Sequence, residues 1–227
     1  DVASSRGLGD VYKRQLPTRQ AVDLHIVAAD VLWRGAALNT MNSLHITRPT
    51  MSSSAAVDVL VIAASNGENL KLAERFADAT RQLGHRAEVV DLTLLDLPLY
   101  RPKAEKNGSP ADLARLQERL MAAPHWVICA PEYNGSIPPV FSNAVAWLSV
   151  QGDDFRALFN GRPIAMSTFS GGGGMELLLS LRIQLTHLGA QVVGRQLLSN
   201  FAKPAKDESI QDLLRRLMQM QPLELGT

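Results

Sequence analysis

The feature that most constrains the fold of this chain is the apolar run Val57-Asp58-Val59-Leu60-Val61-Ile62-Ala63-Ala64. Its β-branched residues stand next to one another instead of alternating with polar ones, a pattern typical of a strand buried on both faces of a parallel sheet. Apolar residues then recur at helical spacing from about Asn69 to Leu83, and Gly84 ends that stretch. A buried strand followed directly by an amphipathic helix predicts half of a βαβ unit.

The same alternation continues along the chain. Further strands are predicted over Arg86–Leu92, His125–Ala130, Pro163–Phe169 and Ala190–Val193. Further helices are predicted from Ser109-Pro110 to about Met121, over Pro139–Val150 and Met175–Leu188, and from Ser209 to Met220. Because parallel strands need right-handed crossovers, this alternation predicts a three-layer α/β sandwich around a doubly wound sheet of five parallel strands. The order 2-1-3-4-5, that of flavodoxin-like folds, is the natural choice, although periodicity alone leaves other orders open.

Composition excludes several functional classes. The chain has 227 residues, 46% of them hydrophobic and 20% charged, enough for a packed core. A formal net charge of +1 offers no basic surface to nucleic acid, and no apolar run approaches the roughly 18–20 residues that span a bilayer. Cys129 is the single cysteine and the histidines form no ligand pairs, so we predict neither a disulfide nor a metal site. We expect a soluble, cytoplasmic protein with no nucleic-acid or membrane partner, and Cys129 in its core.

The first fifty residues differ from the rest. Residues 1–15 are polar, and the apolar segment Ala21–Trp33 is not followed by a strand–turn–helix unit. Met51 then begins a short polar segment that precedes the first predicted strand. We expect residues 1–50 to be an overcalled gene start or an extension outside the domain; the alternative is a genuine segment that packs on the domain or on a neighbouring subunit. Residues 51–227 are predicted to form one α/β domain.

Three loops should emerge at one edge of the sheet, because they follow the first, third and fourth predicted strands. The first loop is Ser65-Asn66-Gly67-Glu68-Asn69, with small polar residues and a glycine ahead of a helix. Its backbone N–H groups could bind a phosphate; the alternative is an ordinary helix cap. The third loop runs from Thr168 to Gly174 and has four consecutive glycines. These would allow the backbone to approach a planar ring closely; the alternative is a flexible linker. Neither loop carries a Rossmann or Walker signature.

The middle loop carries the most specific pattern. This loop directly follows the apolar run Trp126–Cys129 and reads Ala130-Pro131-Glu132-Tyr133-Asn134-Gly135-Ser136-Ile137-Pro138-Pro139. A rigid loop at the end of a strand can present backbone donors and a stacking face to a ligand. Its Pro-Glu-Tyr-Asn stretch resembles the flavin-contacting loop of the NAD(P)H-dependent FMN reductases, which are flavodoxin-like enzymes. The resemblance extends into Phe141–Trp147, although Ala146 stands where the family usually has an acid.

The resemblance implies FMN as cofactor and NADPH or NADH as co-substrate. It places the backbone of Asn134 and Gly135 near flavin N5 and assigns no catalytic side chain. The family's phosphate-loop arginine is missing here, which leaves backbone amides and Lys71 to meet the phosphate. The implied cofactor-binding residues are Ser65, Asn66, Gly67, Glu68, Asn69, Pro131, Glu132, Tyr133, Asn134, Gly135, Ser136, Ser170, Gly171 and Gly172.

By the same resemblance, the protein is expected to pass hydride from NAD(P)H through bound flavin to a small-molecule acceptor, namely a quinone, flavin, azo compound or metal oxyanion. A homodimer or homotetramer is also implied. Two alternatives stay open. One is a flavodoxin-like electron carrier without a nicotinamide reaction, which the near-neutral charge disfavours. The other is a non-catalytic flavodoxin-fold binding protein, which Glu68 and the missing arginine favour. The sequence does not distinguish NADH from NADPH.

Overall fold

A six-stranded parallel sheet organises residues 57–224, the part of the chain that this computed structural model describes. The strands are β1 (Val59–Ala63), β2 (Ala87–Asp91), β3 (His125–Cys129), β4 (Pro163–Phe169), β5 (Gln191–Val192) and β6 (Leu197–Ser199). Their order is β2-β1-β3-β4-β5, with β6 also paired to β4, which confirms the predicted order 2-1-3-4-5. The predicted extension over residues 1–50 lies outside the described residues.

Helices cover both faces of this sheet. They are α1 (Glu68–Gln82), α2 (Pro102–Glu105), α3 (Ala111–Ala122), α4 (Pro139–Leu148), α5 (Met175–His187) and α6 (Asp207–Met218). Successive β1 side chains point to opposite faces, so Leu60 and Ile62 pack with α3, α4 and α5, whereas Val59 and Val61 pack with α1 and α6. The predicted three-layer sandwich is therefore confirmed.

The fifth predicted strand is in fact two short strands. β5 pairs with Pro163 and Ile164 at the start of β4, and β6 pairs with Ser167–Phe169 at its end. The segment between β5 and β6 lies outside the strand ladders with β4. The Arg182 guanidinium of α5 stabilises this segment by donating to the Val193 carbonyl and to Gln196 Oε1. The strand predicted at Ala190–Val193 was too long, and β6 was not predicted.

Cys129 lies in the core, as predicted. It is fully buried on the α1 and α6 face of the sheet, in the same cluster as Val127 and Ala165. Burial raises the pKa of its thiol well above the ordinary value, and the neighbouring Ser167 side chain offsets only part of this effect. Such a thiol is a packing group and a poor nucleophile.

Helix α4 also fixes the backbone of the segment that follows β2. Asn143 Oδ1 accepts the Tyr100 N–H at 2.7 Å, and its Nδ2 donates to the carbonyls of Leu97 and Pro98 at 3.0 and 3.2 Å. Trp147 Nε1 donates to the Pro98 carbonyl at 2.7 Å, and its ring meets that of Tyr100 edge-on with centroids 5.4 Å apart. The Asn and Trp of the Phe141–Trp147 run therefore hold residues 97–100 in place.

Asn143→Ala should remove these amide contacts without enlarging any side chain. We expect the free energy of unfolding to fall by about 1–2 kcal/mol, because backbone groups of residues 97–100 lose their partners. Urea unfolding followed by circular dichroism measures this change. The matched control is Ser142→Ala, the exposed neighbouring position on the same helix. Equal midpoints for the two variants would contradict the role assigned to Asn143.

Candidate cofactor site

The three loops singled out from the sequence meet at the carboxyl edge of the sheet. We call them the first loop (residues 65–69), the hairpin loop (131–138) and the glycine-rich loop (170–174). Asn69 Nδ2 donates to the Phe169 carbonyl and Asn69 Oδ1 accepts the Phe169 N–H, both at 2.8 Å, which joins the first loop to the end of β4. Glu132 Oε1 lies 3.7 Å from the position that a Cβ would take at Gly172, so the hairpin loop and the glycine-rich loop are also neighbours.

The first loop presents unpaired backbone donors. Helix α1 begins at Glu68 with Gly67 as its N-cap, and no side chain caps it. Within residues 57–224, the N–H groups of Asn66, Gly67, Glu68 and Asn69 have no acceptor. A row of free N–H groups at the positive end of a helix dipole is the arrangement that binds phosphate in many nucleotide sites.

Two side chains at this end of α1 have partners within the chain. Asn69 is buried, and its amide is engaged by Phe169, so it positions the loop and offers a ligand only its backbone N–H. The Lys71 ammonium donates to Glu68 Oε1 at 2.7 Å, and this hydrogen bond raises the pKa of Lys71. Lys71 thus neutralises Glu68 in this arrangement instead of facing a phosphate alone.

The hairpin loop closes on itself. Tyr133 and Ser136 exchange two backbone hydrogen bonds of 3.0 and 2.9 Å around the pair Asn134-Gly135. Both central residues have positive φ, 49° at Asn134 and 69° at Gly135, which is the type I′ geometry that Asn-Gly pairs favour. The turn leaves the N–H groups of its two central residues without acceptors in the described chain, and the Tyr133 ring is half exposed beside them.

The glycine-rich loop folds back over the end of β4. Ser170 is buried and its N–H donates to the Ser199 carbonyl of β6 at 3.0 Å, while Gly171 and Gly172 are exposed. Gly174 has a φ of 80°, and a Cβ there would lie 2.7 Å from Thr168 Cγ2. Only glycine suits that position, whereas Gly171 has open space around it.

One aromatic residue beside the site was missed. Phe201 follows β6, is 79% exposed, and meets the Phe169 ring edge-on with centroids 4.8 Å apart. Phe201 was overlooked because the predicted sheet ended at Val193. The apolar pair Leu197-Leu198 was the sequence signal for another strand, whose carboxyl end would bring the following residues to this edge.

Within residues 57–224, no group of three or more His, Cys, Asp or Glu side chains comes together as a metal site would require. None of the helices found there combines the length and apolar character of a membrane span.

These groups fit a nucleotide that has a phosphate at one end and a planar ring at the other. Unpaired N–H groups in the first loop suit the phosphate, and the hairpin tip with the side-chain-free glycine loop suits the ring. The strand order changes direction between β1 and β3, the point where doubly wound sheets bind nucleotides. Fold and loops together define a flavodoxin-like protein with a candidate nucleotide site.

The comparisons with known proteins identify the family. The family model for NADPH-dependent FMN reductase matches residues 57–204, and the chain belongs to this family. This chain is 31% identical over 132 residues to a quinone reductase of Escherichia coli (strain K12). The match covers 57% of this chain and 66% of the quinone reductase, so the chain spans just under two thirds of that relative's length. It is 28% identical over 144 residues to an NAD(P)H-dependent FMN reductase of Pseudomonas aeruginosa, covering 61% of this chain and 75% of that protein.

A solved structure supports the fold independently. FerB, a flavoenzyme NAD(P)H:acceptor oxidoreductase from Paracoccus denitrificans, superposes with a TM-score of 0.59 at 22% identity, covering 72% of this chain and 96% of FerB. The predicted flavodoxin-like fold is thereby confirmed. The family match confirms the predicted family, the NADPH-dependent FMN reductases.

Proposed function

We propose that this protein takes electrons from NAD(P)H and delivers them, through FMN held at the three loops, to a small-molecule acceptor such as a quinone, flavin, azo compound or metal oxyanion. The observation that carries the proposal is the convergence of the first loop, the hairpin loop and the glycine-rich loop at one sheet edge, each with unpaired backbone N–H groups. The names of the two relatives, a quinone reductase and an NAD(P)H-dependent FMN reductase, support it.

Each loop has a separate task in this proposal. The N–H groups of residues 66–69 hold the phosphate, with Ser65 beside them at the end of β1. The N–H groups of Asn134 and Gly135 face the ring edge, supported by Pro131 and Ser136 at the base of the turn. Ser170, Gly171 and Gly172 let the ring approach the backbone closely. When bound, FMN supplies the redox chemistry, accepting two electrons from the nicotinamide and releasing them to the acceptor.

The protein itself contributes orientation and electrostatics. Backbone donors in a fixed turn favour negative charge on the ring edge that they face, and they need no reorganisation to do so. Glu132 and Tyr133 are not assigned a proton-transfer step. Cys129 is buried in the sheet and takes no part. A homodimer or homotetramer in the cytoplasm belongs to the same proposal, and sedimentation velocity measures the oligomeric state.

An absorbance spectrum of the full chain after reconstitution with FMN tests the proposal. We expect a flavin spectrum that stays with the protein on gel filtration and is bleached anaerobically by NADPH or NADH. Steady-state oxidation of the nicotinamide with a panel of quinones, flavins, azo dyes and chromate then ranks the acceptors. Protein that stays colourless after reconstitution would contradict FMN binding. A bound flavin that neither nicotinamide bleaches would support the electron-carrier alternative.

Glu68→Gln should increase the affinity for FMN. The substitution removes a negative charge from the first turn of α1 and frees Lys71 to meet the phosphate. We expect FMN to bind about two- to fivefold more tightly at low salt, with no change for riboflavin, which lacks the phosphate. Fluorescence titration measures both. The control is Glu74→Gln, an exposed position further along α1, and an equal gain in that variant would argue against a local effect of Glu68.

A further inference from the structure

Glu132 is the acidic residue of the hairpin loop, and it turns inward. Tyr133 and Asn134 beside it are exposed, whereas Glu132 is half-buried. Its Oε2 atom has no solvent contact and no hydrogen-bond partner among the described residues. Buried polar atoms in folded proteins nearly always have a partner, because leaving one without costs free energy. A donor on a neighbouring loop would satisfy this carboxylate oxygen.

The glycine-rich loop carries candidate donors for this carboxylate. Glu132 Oε1 lies 3.7 Å from the position of a Cβ at Gly172, so no side chain separates the carboxylate from that backbone. The N–H groups of Gly171 and Gly172 have no acceptor within residues 57–224. Thr168 Oγ1 is a second buried atom without a partner, and it lies 3.2 Å from the Cβ position at Gly174. Two side chains with an unsatisfied polar atom thus lie beside this loop, Glu132 near Gly172 and Thr168 near Gly174.

We propose that Glu132 is a positioning residue which fastens the hairpin loop to the glycine-rich loop when a flavin nucleotide is bound. Its carboxylate accepts the N–H of Gly171 or Gly172, and the two loops then hold the ring from adjacent sides. Exclusion of water by the ligand strengthens such a charge-assisted hydrogen bond. Glu132 transfers no proton and touches no reacting atom. The inference rests on the proposed function, because FMN is the occupant.

The test follows backbone amides directly. Amide exchange of the glycines is measured by ¹⁵N NMR with and without FMN in wild type, Glu132→Ala and Glu132→Gln, and the FMN dissociation constant is measured by fluorescence. In wild type we expect FMN to slow exchange at Gly171 or Gly172. In Glu132→Ala we expect that slowing to be lost and FMN to bind about tenfold more weakly or worse. Glu132→Gln keeps one acceptor oxygen and should recover part of both effects.

The control is Glu176→Gln, which removes the same charge from an exposed position in the first turn of α5 and should behave as wild type. Wild-type affinity and wild-type slowing at Gly171 and Gly172 in Glu132→Ala would overturn the inference. If Glu132→Ala does not fold, wild-type FMN affinity and wild-type amide exchange in Glu132→Gln would overturn the inference instead. The reason is that a charged acceptor forms a hydrogen bond about twice as strong as a neutral one does. Absence of any FMN response at Gly67 and Glu68 in wild type identifies failure of the proposed function itself, and the inference falls with it.

Discussion

Asn69→Ala is expected to lower the free energy of unfolding by about 2–4 kcal/mol, because it leaves the Phe169 N–H and carbonyl without partners in a partly buried environment. Asn69 is 2% exposed, and its two hydrogen bonds connect positions 100 residues apart in the chain. Urea unfolding of the FMN-free protein measures the loss. FMN affinity should also fall, because the first loop and the end of β4 are no longer joined.

Asn66→Ala is the matched control, since Asn66 is exposed in the same loop, and its stability should stay within about 0.5 kcal/mol of wild type. Asn69→Asp should not rescue the alanine variant. A carboxylate keeps the acceptor for the Phe169 N–H but sets a negative oxygen against the Phe169 carbonyl. A stable Asn69→Ala protein would mean that backbone rearrangement or water satisfies Phe169 without Asn69.

Gly174→Ala should produce the second large effect. The position has a φ of 80°, and the new Cβ would lie 2.7 Å from Thr168 Cγ2, so backbone strain and overpacking act together. We expect a loss of at least about 2 kcal/mol in the free energy of unfolding, with weaker FMN binding, because the glycine-rich loop must move. Differential scanning calorimetry and an FMN titration give the two numbers.

Gly171→Ala provides the comparison within the same loop. A Cβ at Gly171 has open space within 4 Å and no positive φ to oppose it. Its stability should therefore match wild type or rise slightly, since alanine restricts the unfolded chain. If Gly171→Ala destabilised the protein as much as Gly174→Ala, the cost would come from loss of loop flexibility and not from the clash with Thr168.

The central sheet could be predicted from sequence because strands buried on both faces leave continuous apolar runs. β1 and β3 are of this kind, and each of their residues is buried. The far edge could not be predicted in the same way. β5 and β6 have two and three residues, too few for a periodic signal, and the excursion between them depends on Arg182, a residue of the preceding helix.

The meeting of the three loops was also predictable, because the carboxyl ends of strands on either side of a topological switch point must lie together. The tasks of individual side chains were not. Asn69 was predicted only as one residue of a phosphate loop, and the sequence did not show that its side-chain amide hydrogen-bonds to Phe169. Asn143, part of the resemblance in α4, fixes residues 97–100. Each of these tasks is set by a partner far away in sequence, which local patterns do not contain.

The turn at Asn134-Gly135 has a consequence for the kinetics of recognition. Its two hydrogen bonds are made entirely within the chain and its φ angles are fixed by the turn, so its backbone entropy is lost during folding and not on association. A ring that arrives at this tip meets donors that already have their final orientation. Association there can therefore proceed by rigid-body encounter, and any slow, saturable phase in stopped-flow binding would have to originate in the neighbouring loops.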